Sequence, residues 1–261
     1  MDHIQAFLLG LLQGLTEFLP VSSSGHLALG SHFLGIEEEN NLLFTVAVHG
    51  ATVLSTIVVF RKDIWDLLKA LFSFKWNEET QYIVKLIISM VPIGLAGVFF
   101  KEDIESLFDG NIVFVGGMLL LTAVLLSFTF FFKNKNNKEV GFKDAIIIGI
   151  AQACAVVPGI SRSGSTIATG LLLGDKKESV AKFSFLMVLA PIIGANLLEV
   201  VGGDLTASSS VSVSVLITGF VTAFVSGLLA CKWMINIVKK GKLIYFAIYC
   251  AIIGLISIFV G

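Results

Sequence analysis

The sequence predicts an all-α integral membrane protein with six transmembrane helices and two re-entrant helical hairpins in an inverted-topology repeat. Three observations predict this fold class: an apolar composition, two similar helix–break–helix segments, and loops whose charge alternates in sign. Charged residues make up 14% of the 261 residues and hydrophobic residues 56%, whereas soluble domains carry about 25% charged residues. The net charge of −1 gives no sign of nucleic-acid binding. We therefore expect a lipid bilayer, and no nucleic acid, as partner.

Six segments are long and apolar enough to cross a bilayer, which requires about 20 helical residues. They are residues 41–60, 81–100, 110–132, 183–201, 208–231 and 243–260. No cleavable signal peptide is expected, because the first residues lack a basic region and the apolar run that follows contains Glu17.

Two further apolar segments are too short to span. Residues 4–16 cover only about 20 Å at 1.5 Å per residue, and residues 145–157 are equally short and end at Pro158-Gly159. A second short helical stretch follows each of them, at residues 22–34 and 161–173. A break between two arms that are each too short to span predicts a re-entrant hairpin.

The two hairpins are copies of one pattern. An offset of 139 residues places Gln13 on Gln152 without a gap. The same offset pairs Gly10 with Gly149, Ser22 with Ser161, Ser24 with Ser163, Gly25 with Gly164, Leu34 with Leu173 and Gly35 with Gly174. Shared hydrophobicity does not explain identities that are mostly polar or glycine. We interpret the chain as one membrane domain, 1–261, with repeats at about 1–132 and 140–261.

Loop charge predicts the topology. Loops after residues 60, 132 and 231, and the stretch 176–182, are basic, and basic loops lie in the cytoplasm. The alternate loops carry Glu37, Glu38, Glu39, Glu102, Asp103, Glu105, Asp109 and Asp204. If the chain has six spans and each hairpin returns to the side it entered from, every basic loop lies in the cytoplasm and every acidic loop outside. Both termini then lie outside. The hairpins then enter from opposite sides and meet near the midplane, as at transporter substrate sites.

Each break leaves a helix N-terminus at membrane depth, where lipid cannot bond the free N–H groups. Serine side chains can cap these termini, and glycine allows close approach of another group. The candidates are Ser22, Ser23, Ser24 and Gly25 in the first hairpin, and Ser161, Ser163 and Gly164 in the second. Two facing N-termini with hydroxyl groups form an anion receptor. Arg162 adds a planar fork that suits phosphate oxygens, and its predicted depth favours a functional role.

The first hairpin also carries acid–base groups. Glu17 and Gln13 lie one helical turn apart and could together ligate a hard cation. Alternatively, Glu17 could act as a base or orient a histidine, for which His26 is the candidate near neutral pH. Ser23 is the counterpart of Arg162 in the first repeat and is the candidate nucleophile.

These residues resemble the motifs of the bacterial undecaprenyl-diphosphate phosphatase family, the bacitracin-resistance proteins, over essentially the whole chain. A Glu/Gln-x-x-x-Glu element is matched by Gln13 and Glu17, and Pro-Val-Ser-Ser-Ser-Gly-His by residues 20–26. A Pro-Gly-x-Ser-Arg-Ser-x-x-Thr element is matched by Pro158, Gly159, Ser161, Arg162, Ser163 and Thr166. Gln13 is the uncharged variant at its position, which leaves fewer carboxylates for a metal, and Ser24 stands where threonine is common.

The resemblance implies removal of the terminal phosphate from a C55 polyprenyl diphosphate in the bacterial plasma membrane, which yields the lipid carrier of wall synthesis. It implies catalysis by Glu17, Ser23, His26 and Arg162, and a divalent cation, Mg or Ca, for which Glu17 and Gln13 are the candidate ligands. Residues expected to hold the diphosphate are Ser22, Ser24, Gly25, Ser161, Arg162, Ser163, Gly164 and Thr166.

Two mechanisms and a rival function stay open at this level. Either Ser23 attacks, activated by His26 that Glu17 orients, or His26 and Glu17 activate a water. The site is expected to open to the outer face. A polyprenyl-phosphate flippase would need the same anion receptor but neither nucleophile nor base. Small-residue patterns at Gly94–Gly97 and Gly194 are compatible with helix contacts in a homodimer.

Overall fold

The computed structural model describes residues 1–36, 42–107, 111–132, 136–202 and 211–261, and in these ranges the regular elements are all α-helices. The first half of the described chain contains α1 (His3–Thr16), α2 (Ser23–Phe33), α3 (Leu42–Val59), α4 (Arg61–Leu71), α5 (Glu78–Phe99), α6 (Lys101–Ser106) and α7 (Ile112–Phe131). The second contains α8 (Phe142–Cys154), α9 (Arg162–Leu173), α10 (Lys177–Met187), α11 (Leu189–Gly202), α12 (Val213–Lys240) and α13 (Ile244–Val260). The predicted loop residues Glu37, Glu38, Glu39, Asp109 and Asp204 lie outside the described ranges.

Five helical segments of the described chain are long and apolar enough to cross a membrane. They are α3, α5, α7, α12 and the segment Lys177–Leu198, which joins α10 to α11. Each overlaps a predicted span. The sixth predicted span corresponds to α13, which is equally apolar but has 17 residues. The chain is therefore a multi-pass membrane protein.

Both predicted helix–break–helix segments are present. The first consists of α1 and α2, and the ends of both helices lie within one residue of the predicted ends. In the second, α8 ends at Cys154, three residues before the predicted end at 157. Turns occupy the residues between α8 and α9, and Gly159 adopts a φ of 93° in the left-handed region that favours glycine.

Equivalent arms of the two hairpins cross equivalent partners. Helix α1 packs on α12, and α8 packs on α5. At the first crossing a methyl group on Gly10 would lie 2.5 Å from the carbonyl oxygen of Gly219, and at the second a methyl group on Gly149 would lie 2.5 Å from that of Ser89. The offset of 139 residues pairs Gly10 with Gly149. This identity is therefore explained by backbone contact between helices.

Gly149→Ala should lower the thermal unfolding midpoint of the protein in detergent. The added methyl group meets rigid backbone, and overpacking of this kind costs about 1–3 kcal/mol. Gly94→Ala on α5 is the matched control, because nothing lies within 4 Å of a methyl group there. We expect its midpoint to stay the same or rise slightly, since alanine favours helix. Equal midpoints for Gly149→Ala and the wild type would contradict the close crossing.

Helix α10 packs against α9 of the second hairpin and against α12. Its side chains Phe183, Phe185 and Met187 are almost fully buried in the largest hydrophobic cluster. An ion pair between Lys182 and Asp63 ties α10 to α4. This packing fixes the backbone of Ser184, which contacts the site described next.

Candidate active site

The two helix N-termini at the hairpin breaks have the same cap. Ser22 Oγ accepts a hydrogen bond from Gly25 N at 3.2 Å, and Ser161 Oγ accepts one from Gly164 N at 3.0 Å. The predicted capping roles of Ser22 and Ser161 are confirmed. Ser22 reaches its position with a φ of 70°, which is uncommon for a residue other than glycine.

The hairpins touch each other at these termini. A methyl group on Gly25 would lie 3.1 Å from the Cα of Gly159, and one on Gly164 would lie 3.3 Å from Pro20 Cβ. Ser163 Oγ also donates to the carbonyl oxygen of Leu19 at 3.1 Å. The lack of a side chain at each glycine therefore lets the opposite hairpin approach closely. The sequence predicted Gly25 and Gly164 as contacts of a bound diphosphate, but the structure places both against protein and outside the pocket lining.

Glu17 joins the two hairpins through three side chains. Its Oε2 accepts hydrogen bonds from Ser23 Oγ at 2.6 Å and from Gln13 Nε2 at 3.1 Å, and its Oε1 accepts one from Arg162 Nη2 at 2.5 Å. The side chains of Glu17 and Arg162 are only 8% and 16% exposed. A buried ion pair is strongly destabilised when one partner is removed, because the other charge is left uncompensated.

Arg162 has a second anchor in α10. Its Nη1 donates to the carbonyl oxygen of Ser184 at 3.4 Å. The Thr166 hydroxyl lies 2.6 Å from Ser184 Oγ and donates to the Arg162 carbonyl oxygen at 2.9 Å. Thr166 was predicted to contact the diphosphate, but it is fully buried and lies outside the pocket lining. Its position indicates that it anchors α9 to α10.

A pocket of about 270 Å³, including the open space at its mouth, lies between the two N-termini. It is lined by Thr16, Glu17, Ser22, Ser23, Ser24, Ala155, Ile160, Ser161, Arg162 and Ser163. Seven of the predicted site residues, five serines and the charged Glu17 and Arg162, therefore converge from separate hairpins. Helix dipoles and free N–H groups favour an anion at such a place.

A second pocket of about 230 Å³, again including the open space at its mouth, shares Glu17 and Arg162 with the first. Its other lining residues are mostly apolar and come from the first hairpin, α3, α10 and α11: Phe18, Thr52, Val53, Thr56, Phe185, Val188, Leu189 and Ile192. Polar and apolar cavities therefore meet at the ion pair. This combination suits a ligand with a charged head and an apolar tail.

The contacts of His26 differ from the expected arrangement. Its Nδ1 lies 2.8 Å from the carbonyl oxygen of Ser22, and its Nε2 lies 2.8 Å from the hydroxyl of Tyr249. In one of the two mechanisms that the sequence left open, Glu17 orients His26 and His26 activates Ser23. In the structure Ser23 donates directly to Glu17, and partners other than these two residues occupy both ring nitrogens.

The protein side chains at this site would hold a divalent cation only together with oxygen atoms from a bound phosphate group. In the described part of the chain no three His, Cys, Asp or Glu residues lie close enough together to hold a metal. However, Gln13 Oε1 is buried and has no hydrogen-bond partner among the described residues, while Nε2 of the same side chain donates to Glu17. Magnesium is commonly bound by one or two carboxylates together with substrate phosphates. Glu17 and Gln13 fit that pattern.

The fold and site define a multi-pass membrane protein in which two capped helix N-termini and a buried carboxylate–guanidinium pair line one pocket. The family profile described as bacitracin resistance protein BacA matches residues 6–256. An undecaprenyl-diphosphatase of Bacteroides fragilis is 59% identical over 263 residues, covering 100% of this chain and 98% of the relative. Relatives of the same name in Parabacteroides distasonis and Methanobrevibacter smithii are 58% and 37% identical, covering 99% and 100% of this chain and 98% of each relative. The chain belongs to the BacA family.

Proposed function

We propose that this chain is an undecaprenyl-diphosphatase. It hydrolyses undecaprenyl diphosphate to the monophosphate and inorganic phosphate, which recycles the cell-wall lipid carrier and confers bacitracin resistance. The observation that carries the proposal is the contact of Ser23 and Arg162 with one carboxylate, Glu17, between two capped helix N-termini. The relatives named undecaprenyl-diphosphatase match the chain from end to end.

The diphosphate binds in the pocket between the hairpins. The N-terminal dipoles of α2 and α9 and the Arg162 guanidinium attract its oxygens, with Ser24 as a further hydroxyl donor. The first carbons of the polyprenyl chain leave through the second pocket, between α3 and the α10–α11 segment. Both pockets meet at Arg162, so a lipid head in the first pocket directs its tail toward the second.

Phosphoryl transfer depends mainly on positioning and on neutralising charge. Ser23 Oγ attacks the terminal phosphorus while Glu17 accepts the hydroxyl proton over the 2.6 Å hydrogen bond. The bond from that phosphorus to the bridging oxygen breaks, and the lipid monophosphate leaves. Water then hydrolyses the phosphoserine and restores Ser23. Arg162 compensates the charge that develops on the phosphoryl oxygens. A divalent cation, Mg or Ca, held by Glu17 and Gln13, supplies further charge neutralisation when bound.

The architecture in this proposal is an inverted repeat of six spans and two re-entrant hairpins in the bacterial plasma membrane. Both termini lie outside and the site opens to the outer face. The equivalent crossings of α1 with α12 and of α8 with α5, and the alternation of basic and acidic loops, support it.

A flippase for the lipid phosphate is the less favoured function. A carrier needs the anion receptor and the tail pocket, but it has no use for a serine hydroxyl hydrogen-bonded to a carboxylate. The relatives are named as diphosphatases rather than carriers.

The proposal is tested by phosphate release from undecaprenyl diphosphate with purified protein in detergent, with and without a chelator. We expect release that stops with the chelator and returns when Mg or Ca is added in excess. Lipid binding without any release would support the carrier instead. Release that continues unchanged in the chelator would contradict the role of the cation while leaving the enzyme intact.

Ser23→Ala should reduce phosphate release by about 10²–10⁴-fold, because it removes the attacking oxygen while the pocket stays in place. Ser257→Ala on α13 is the control, since among the described residues that hydroxyl bonds within its own helix, to the Ile253 carbonyl. We expect the control to keep activity within about twofold. A Ser23→Ala protein with near wild-type turnover would assign the attack to water.

A further inference from the structure

Tyr249 completes the hydrogen bonding of His26 from the opposite end of the chain. Its hydroxyl lies 2.8 Å from His26 Nε2, and the two rings stack at a centroid distance of 5.5 Å and an angle of 12°. We propose that Tyr249 is a positioning residue for the phosphatase reaction, which acts through His26 on the N-terminus of α2. The inference rests on the proposed function and adds a residue that neither motif contains.

The partners of His26 determine its tautomer. A carbonyl oxygen can only accept a hydrogen bond, so the Ser22 carbonyl 2.8 Å from Nδ1 requires a proton on Nδ1. In the neutral ring Nε2 is then an acceptor, and Tyr249 donates to it. If the ring gains a proton, Nε2 becomes a donor and the same tyrosine oxygen can accept. The Tyr249 hydroxyl can therefore hydrogen-bond Nε2 in both the neutral and the protonated ring.

This chain of contacts ends beside the nucleophile. His26 holds the carbonyl of Ser22, which caps α2 with a φ of 70°. Ser23 is the next residue, and its hydroxyl must point at Glu17 to be activated. A residue that holds the Ser22 backbone therefore helps to set the direction of Ser23. Loss of the tyrosine hydroxyl would leave Nε2 of a buried ring, only 5% exposed, without its partner.

Helix α13 is well placed to hold Tyr249 rigidly. It packs on α7 where Gly254 and Gly116 approach each other, and a methyl group on either would lie 2.7 Å from the carbonyl oxygen of the other. The neighbouring Cys250 is fully buried, with Sγ 3.7 Å from the carbonyl oxygen of Pro20 in the first hairpin break. The last helix of the second repeat thus supports the break of the first.

Tyr249→Phe tests the inference, because it keeps the stacked ring and removes only the hydroxyl. We expect kcat to fall about tenfold, the effect of one lost hydrogen bond, and KM to stay within about twofold. Tyr245→Phe is the matched control, one turn earlier on α13 with a side chain that is 63% exposed. It should behave as the wild type.

A double-mutant cycle separates positioning through His26 from a direct or purely structural role. In a His26→Ala background Tyr249→Phe should cause no further loss beyond about twofold, since the two side chains act as one unit. A tenfold loss that persists in that background would overturn the inference, and so would wild-type kcat for Tyr249→Phe alone.

Nitrogen-15 NMR of histidine-labelled protein provides a readout that needs no substrate. Of the four histidines, only His26 should change on Tyr249→Phe, with the larger change at Nε2. An unchanged His26 signal would overturn the inference whatever the enzyme assay shows. Absence of phosphate release by the wild type would instead contradict the proposed function and leave this spectroscopic result interpretable.

Discussion

Glu17→Gln should lower phosphate release by at least about a hundredfold, the smallest contribution usual for a positioned acid–base group. The substitution keeps the shape of the side chain but removes its charge. Ser23 then loses its proton acceptor, and Arg162 keeps a full charge in a buried position without its carboxylate partner. Turnover of undecaprenyl diphosphate by the purified variant measures the effect, and a thermal unfolding midpoint shows whether the fold survives.

Glu139→Gln is the matched control for this variant. Glu139 also pairs with a cation, Lys176 at 2.8 Å, but its side chain is 66% exposed and lies outside the pocket. Exposed ion pairs contribute little, so activity should stay within about twofold of the wild type. A folded Glu17→Gln protein with the activity of the control would remove Glu17 from the mechanism.

Arg162→Lys should also lose most activity, with a decrease of about 10²–10³-fold in kcat, the range reported for loss of one preorganised charge-stabilising donor. The guanidinium donates in two directions, to Glu17 and to the Ser184 carbonyl, while keeping donors for a phosphoryl group. A lysine ammonium is a single point donor on a flexible stem and cannot hold both protein contacts. The steady-state kcat for phosphate release measures the loss.

Arg61→Lys is the control for this substitution, because Arg61 and Arg162 are the arginines of the sequence. Arg61, the first residue of α4, is exposed and donates to the Val58 carbonyl oxygen near the end of α3. We expect wild-type kcat for Arg61→Lys. Near-full activity of Arg162→Lys would show that charge alone is sufficient and that the fork has no role.

Local features of the site were predictable from the sequence. The offset of 139 residues predicts matching N-caps at Ser22 and Ser161, and the structure has both. Capping depends on a side chain and on backbone N–H groups two or three residues away, so a short stretch of sequence is enough to predict it. The lengths of the apolar runs likewise predicted the five long apolar helices, because span length follows directly from composition.

Long-range partners were not predictable. The sequence indicated a functional role for Arg162 at membrane depth but not that it pairs with Glu17, which is 145 residues earlier. Ser184 contributes a carbonyl oxygen, which every residue has, so no side-chain pattern marks it. Tyr249 lies in an apolar helix whose periodicity says nothing of the residue it meets. Thr166 belongs to a motif of the site, yet its hydroxyl serves packing between α9 and α10.

The central claim is that both hairpins build one diphosphate pocket, and protection of substituted cysteines tests it most directly. Ser24→Cys and Ile160→Cys each place a thiol in the pocket from a different hairpin, at partly exposed positions. The background should carry Cys154→Ala, since Cys154 is exposed whereas Cys231 and Cys250 are buried. We expect a non-hydrolysable polyprenyl diphosphonate to slow thiol modification at both positions with the same half-saturating concentration. Protection of one position while the other reacts at its original rate would contradict a shared pocket.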